Sequence, residues 1–176
     1  GQDLFSLTSL LLTKLRPVLD ELSPDCILVH GDTTTSMVAA LAGFYCDIPV
    51  GHVEAGLRTG KLRSPFPEEF NRRVSGIIAQ WHFVPTQKNK NNLLAEQVDK
   101  SQIFVTGNTV VDALHQMRDR LNEDSKLKTE IQNQLVRQLG FDPKESERMI
   151  LLTCHRRENF GEGLMQICSA VRVLAT

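Results

Sequence analysis

Apolar positions along the chain switch between two spacings. Over residues 3–22, Leu4, Leu7, Leu11, Leu15, Val18, Leu19 and Leu22 recur at i, i+3, i+4 intervals and predict one amphipathic helix. Pro17 lies inside it and is expected to kink it. Residues 26–30 are then continuously apolar, the pattern of a parallel strand covered on both faces. A turn at Gly31-Asp32 and an Ala-rich helix over 37–45 follow. The unit repeats: strand 48–53, loop 54–66 and helix 67–78; strand 79–84 and helix 87–97; strand 102–106 and helix 110–121. Pro67 suits a first helical turn, and Glu68 and Glu69 complement the positive end of the helix dipole. Residues 122–140 are polar and helical in propensity, ending at Gly140, and 141–147 read as a linker. An apolar run over 149–153 predicts a further strand, and a helix begins at 162.

Strands alternating with helices at this spacing mean βαβ units and a parallel, doubly wound α/β sheet. The division expected is a first domain over 1–121, a helical connector over 122–147 and the start of a second α/β domain at 148–176. The chain has no initial Met and stops inside an apolar helical pattern, so it reads as a fragment.

Composition narrows the class rather than the function. At 41% hydrophobic, 23% charged and a formal net charge of -1, nothing draws the chain toward nucleic acid or an acidic membrane surface, so any anion site is local. The four cysteines lack C-x-x-C spacing and read as reduced core thiols. No apolar run approaches the ~18 residues of a membrane span and no signal segment opens the chain, which makes the cytoplasm the expected compartment.

The polar residues that interrupt this pattern fall at strand ends, where open α/β sheets bind ligands. Asp32 follows the first strand; it is either a group facing the cleft or an ordinary helix N-cap. Glu54 directly follows the second strand, where the competing explanations are an ion pair to Arg58 or a surface loop. Glu68 and Glu69 open a helix, and their i+4 partners Arg72 and Arg73 suggest ordinary helix ion pairs. Clustered carboxylates repel, so at least one is expected to be driven toward a pKa useful for proton transfer. His155-Arg156-Arg157-Glu158-Asn159 follows a strand pattern and suits a phosphate-bearing ligand, or is a charged surface loop. His52-x-Glu54 has no third ligand at metal spacing, so no metal is expected. His82 and His115 read as structural.

Five motifs now stand in order: Val29-His30-Gly31-Asp32-Thr33-Thr34-Thr35, His52-Val53-Glu54-Ala55-Gly56-Leu57-Arg58-Thr59, Ser64-Pro65-Phe66-Pro67-Glu68-Glu69-x-Asn71-Arg72, Thr106-Gly107-Asn108-Thr109 and His155-Arg156-Arg157-Glu158-Asn159. Together they closely resemble the bacterial non-hydrolysing UDP-N-acetylglucosamine 2-epimerases over essentially the whole chain. The resemblance implies two Rossmann-like domains in a glycosyltransferase-B-like arrangement, truncated here at both ends. It implies reversible epimerisation at C2 of UDP-GlcNAc to UDP-ManNAc for surface polysaccharide synthesis, through anti-elimination of UDP to 2-acetamidoglucal and re-addition. No NAD or metal cofactor is implied. Asp32, Glu54, Glu68 and His155 match the family's catalytic positions, and Arg72 and Arg156 match substrate-binding ones. UDP-GlcNAc is implied both as substrate and as allosteric activator, with a homodimer for the full-length protein. Cys154 departs from the small residue usual before the histidine. Competing readings are a hydrolysing 2-epimerase that releases UDP and ManNAc, a UDP-sugar-binding module without chemistry, and a glycosyltransferase of the same architecture. The 176-residue piece by itself is expected to be inactive.

Overall fold

The computed structural model describes residues 3–145, 149–153 and 161–174. The chain divides into two compact units, 1–114 and 115–176.

In the first unit the elements run α1 (Leu4–Leu22), β1 (Ile27–His30), α2 (Thr34–Tyr45), β2 (Val50–Val53), α3 (Glu68–Ile78), β3 (Trp81–Val84), α4 (Gln87–Ala95) and β4 (Ile103–Val105), and α5 (Thr109–Glu123) leads out of it. The helix α1 continues through Pro17 and is capped by Asp3, whose side chain accepts from the Ser6 amide. The strands form a four-stranded parallel sheet in chain order, β1-β2-β3-β4. Parallel strands joined by right-handed crossovers in ascending order carry their connecting helices on one face, and α2, α3 and α4 all pack on this sheet.

Register decides which residues that face receives. Ile27 pairs with Val50 and Val29 with His52, so these four share a face with His82, Val84 and Ile103. Two clusters form the core there: Val29, Ala40 and Val50, and Ala55, Val84, Leu93 and Ile103. The opposite face carries Leu28, 64% exposed, and Phe104, 44% exposed, the latter stacked on Phe83 at 5.7 Å. Gly51 lies between Leu28 and Phe83, where a Cβ would meet Leu28 Cδ2 at 2.6 Å and displace that side chain.

In the second unit, α6 (Ser125–Leu139) is capped by Asp124 and ends at Gly140 in the left-handed conformation, as its sequence predicts. The helix α7 spans Glu162–Leu174. Residues 149–153, expected as a strand, form none and are exposed. An apolar run becomes a strand only when a neighbour accepts and donates its backbone hydrogen bonds, and no described residue pairs with it. The cysteine reading also needs correction: Cys26 and Cys168 are exposed and Cys46 is half-buried, so they are free thiols outside the core. Among the described residues no helix is long and apolar enough to cross a membrane.

Two histidines sit side by side in the buried face. Burial lowers the pKa of His52, and it pushes His82 down to about 4, with the neighbouring His52 adding to the effect. The unfolded chain takes up protons on these rings near pH 6.5 while the folded one does not, so the unfolded state binds more protons and stability falls as pH drops. Urea midpoints measured from pH 8 downward are expected to decline through the window from pH 6.5 to about 4, and His82→Gln is expected to flatten that decline.

Candidate functional site

Parallel pairing places the carboxyl ends of β1 and β2 side by side, and each runs straight into an acidic turn. The β1 turn is pinned from three directions. The Gly31 amide donates to Val53 O at 3.0 Å, extending the ladder by one bond. His52 Nε2–H donates to Gly31 O at 2.8 Å, and the Ser36 hydroxyl donates to His30 O at 2.6 Å. Gly31 itself is in the left-handed region at φ +72°, where glycine is at ease.

Asp32 is not the helix N-cap. That role belongs to Thr33, whose side chain accepts from the Ser36 amide. The Asp32 carboxylate is thereby released, and α3 takes it: Arg72 Nη2 lies 2.6 Å from Asp32 Oδ2. Asn71, fully buried, donates to Asp32 O at 2.9 Å and so holds the backbone of the same residue. The expected Glu68–Arg72 helix pair does not form. Arg72 instead turns to Asp32 and, at 3.6 Å, to Glu69. Arg73 does approach its i+4 partner Glu69, at 3.7 Å.

Glu54 is one of the few non-glycine residues in the left-handed region, at φ +65°. A Cβ built on Gly31 would stand 3.4 Å from Glu54 Oε2, so the second carboxylate lies directly against the turn that carries Asp32. His30 Nε2 is 3.7 Å away from the same oxygen. Arg58 is not its partner: Arg58 Nε and Nη2 donate to the two Glu96 oxygens, each at 2.7 Å. Arg58 in turn holds the Glu96 carboxyl below its usual pKa. Glu68 makes no ion pair among the described residues, and its Oε2 is buried without a hydrogen-bond partner. An unpartnered buried carboxylate oxygen is uncommon in a folded protein. The loop from Glu54 to Pro67 contains two cis peptide bonds, Ser64–Pro65 and Phe66–Pro67.

The loop after β2 is fastened to α4. Asn92 Nδ2 donates to Gly56 O at 2.9 Å, and the Gly56 backbone passes so close to α4 that a Cβ there would lie 2.5 Å from Asn89 O. At the end of β4, Gly107 at φ +85° and the Asn108 side chain, which accepts from the Val110 amide, start α5 as the sequence predicts. His155 and Arg156 lie outside the described residues, as does Cys154. The contact of Glu69 with Arg72, the hold of Asn71 on the Asp32 backbone and that of Glu96 on Arg58 were not read from the sequence. The arginines at i+3 and i+4 from Glu69 were the available signal for the first; nothing local marks the other two.

The family model of UDP-N-acetylglucosamine 2-epimerase matches residues 1–176. The chain belongs to that family. It is 53% identical to the UDP-N-acetylglucosamine 2-epimerase of Yersinia pestis over 175 residues, covering 99% of this chain and 45% of the relative. It is 51% identical to the Escherichia coli K12 enzyme of the same name over 176 residues, covering 100% and 46%. Among solved structures, the Neisseria meningitidis UDP-GlcNAc 2-epimerase bound to UDP-GlcNAc superposes with TM-score 0.88 at 47% identity, covering 99% of this chain and 45% of that one. The Methanocaldococcus jannaschii UDP-GlcNAc 2-epimerase in complex with UDP-GlcNAc and UDP superposes with TM-score 0.81 at 33% identity, covering 97% and 44%. The chain therefore spans somewhat less than half the length of these relatives. Its fold class is that expected: α/β with a Rossmann-like parallel sheet, as in the glycosyltransferase-B-like epimerases.

Two substitutions test the loop geometry. Gly56→Ala and Gly60→Ala face the same left-handed penalty, at φ +82° and +75°, but only the first drives a Cβ into backbone. Gly56→Ala is expected to cost at least ~2 kcal/mol more than Gly60→Ala in chemical denaturation. A non-glycine left-handed residue costs on the order of 1–2 kcal/mol. Glu54→Gly is therefore expected to raise the denaturation midpoint, which the same titration would read.

Proposed function

We propose that the protein of which this chain is part interconverts UDP-GlcNAc and UDP-ManNAc by eliminating and re-adding UDP at C1–C2. The observation that carries this reading is that Glu54 Oε2 lies beside Gly31, the residue before Asp32, so two carboxylates leave adjacent strands at the same sheet edge. The C2 proton of an N-acetylhexosamine is weakly acidic. Its removal needs a positioned base, and its return to the opposite face needs a positioned acid.

In the proposed sequence one carboxylate among Asp32, Glu54 and Glu68 takes the C2 proton. The C–H electron pair becomes the C1–C2 double bond of 2-acetamidoglucal as the C1–O pair leaves with UDP. A proton is then delivered to the other face of C2 while UDP oxygen returns to C1. Arg72, whose Nη2 lies 2.6 Å from Asp32 Oδ2, fixes the orientation of that carboxylate. Glu68 opens α3, the helix that delivers Arg72 to Asp32, and its Oε2 has no hydrogen-bond partner. His155 and Arg156 are assigned to the diphosphate on their residue types and motif alone. Residues from this chain supply carboxylates at one wall of such a site; the relatives carry roughly twice its length. The chain alone is therefore proposed to be inactive. The complete protein is proposed to be a cytoplasmic homodimer, with UDP-GlcNAc as activator as well as substrate.

The test is solvent deuterium entry at C2. In deuterium oxide the complete protein is expected to return UDP-GlcNAc and UDP-ManNAc labelled at C2 by NMR, while Asp32→Asn and Glu54→Gln slow that entry by about 100-fold or more. Free ManNAc as the main product, or epimerisation without label, would sink the proposal. Turnover by the 176-residue chain at the rate of the complete protein would refute its proposed inactivity.

A further inference from the structure

Glu69 is a carboxylate with 0% exposure, and the sequence offered it only the helix dipole and an i+4 pair with Arg73. A buried charge is costly unless close partners offset it, and an apolar residue of similar size often stabilises a core better. Its partners are unusual for a simple helix pair. Oε2 accepts the Thr59 amide at 3.1 Å and lies 3.6 Å from Arg72 Nη1. Oε1 has no hydrogen bond and lies 3.7 Å from Arg73 Nε. Arg73 Nη2 is 3.9 Å from Glu96, which grips Arg58. Charges thus alternate along Asp32, Arg72, Glu69, Arg73, Glu96 and Arg58. This series starts at the β1 turn, crosses α3 and the end of α4, and finishes in the loop that Glu54 opens.

We propose that Glu69 is a positioning residue. It holds Arg72 on Asp32 and, through the Thr59 amide, anchors the loop that begins with Glu54, so both carboxylates keep one separation. The consequence for turnover rests on the epimerase reading of Asp32 and Glu54; the anchoring does not. Glu69→Gln keeps the shape and the acceptor for Thr59 but removes the charge that restrains Arg72.

The first measurement needs no turnover. Arg72 guanidinium N–H exchange, followed by NMR, is expected to quicken by about 10-fold in Glu69→Gln. Unchanged exchange overturns the proposal. Should Glu69→Gln not fold, Arg73→Gln gives the complementary readout: it leaves Glu69 to Arg72 alone, so Arg72 exchange slows, and no change again overturns the proposal. The second measurement is a double-mutant cycle in the complete protein. Glu69→Gln is expected to lower kcat by roughly 10–100-fold with KM within about 3-fold, and to cost less than about 2-fold more when Arg72 is already Gln. Fully additive losses would mean Glu69 does not act through Arg72. Quickened Arg72 exchange in a protein without C2 exchange would uphold the anchoring and reject the epimerase reading instead.

Discussion

Everything at the candidate site depends on four strands pairing in parallel and in chain order. Parallel pairing puts the carboxyl end of every strand on one edge, so each βα turn delivers its polar residues to the same side. Asp32 and Glu54 leave adjacent strands and become neighbours without being close in sequence. The sheet also supplies the rigidity. The Gly31 turn is tied down by a ladder bond to Val53 and by His52, a residue of the buried face. A carboxylate on such a turn has little freedom.

Helix α3 supplies what the sheet lacks. Its first two turns present Asn71 to the Asp32 backbone and Arg72 to the Asp32 side chain, while Glu69 reaches back to the loop at Thr59. Three side chains from one helix thereby join two turns of the sheet. The arrangement is costly where it is buried, because charged groups leave water. Alternation of sign along the series offsets part of that cost. Glu54 in the left-handed region is a second local cost, and it too lies at the sheet edge where the carboxylates meet.

The same rules explain where the fold is open. One sheet face is covered by α2, α3 and α4, and the other leaves Leu28 and Phe104 in water. Residues 149–153 are as apolar as β1, yet they form no strand, since no described neighbour completes their hydrogen bonds. Apolar pattern states a preference for burial; pairing partners decide whether it is realised.

The sequence by itself determined the periodicity and hence the helices and the four strands of the first unit, their parallel sense and the presence of acidic residues at strand ends. It also carried the motif series that marks the family, because spacing and residue type are local properties. It left open what depends on distance across the fold. Asp32 could be an N-cap until Thr33 was seen to fill that role, and Arg72 could pair with Glu68 until Asp32 was found 2.6 Å away. Arg58 could serve Glu54 until Glu96, 38 positions along the chain, took both its nitrogens. The physical reason is that an ionic side chain chooses among all opposite charges within a few ångströms, and only the tertiary structure states which those are.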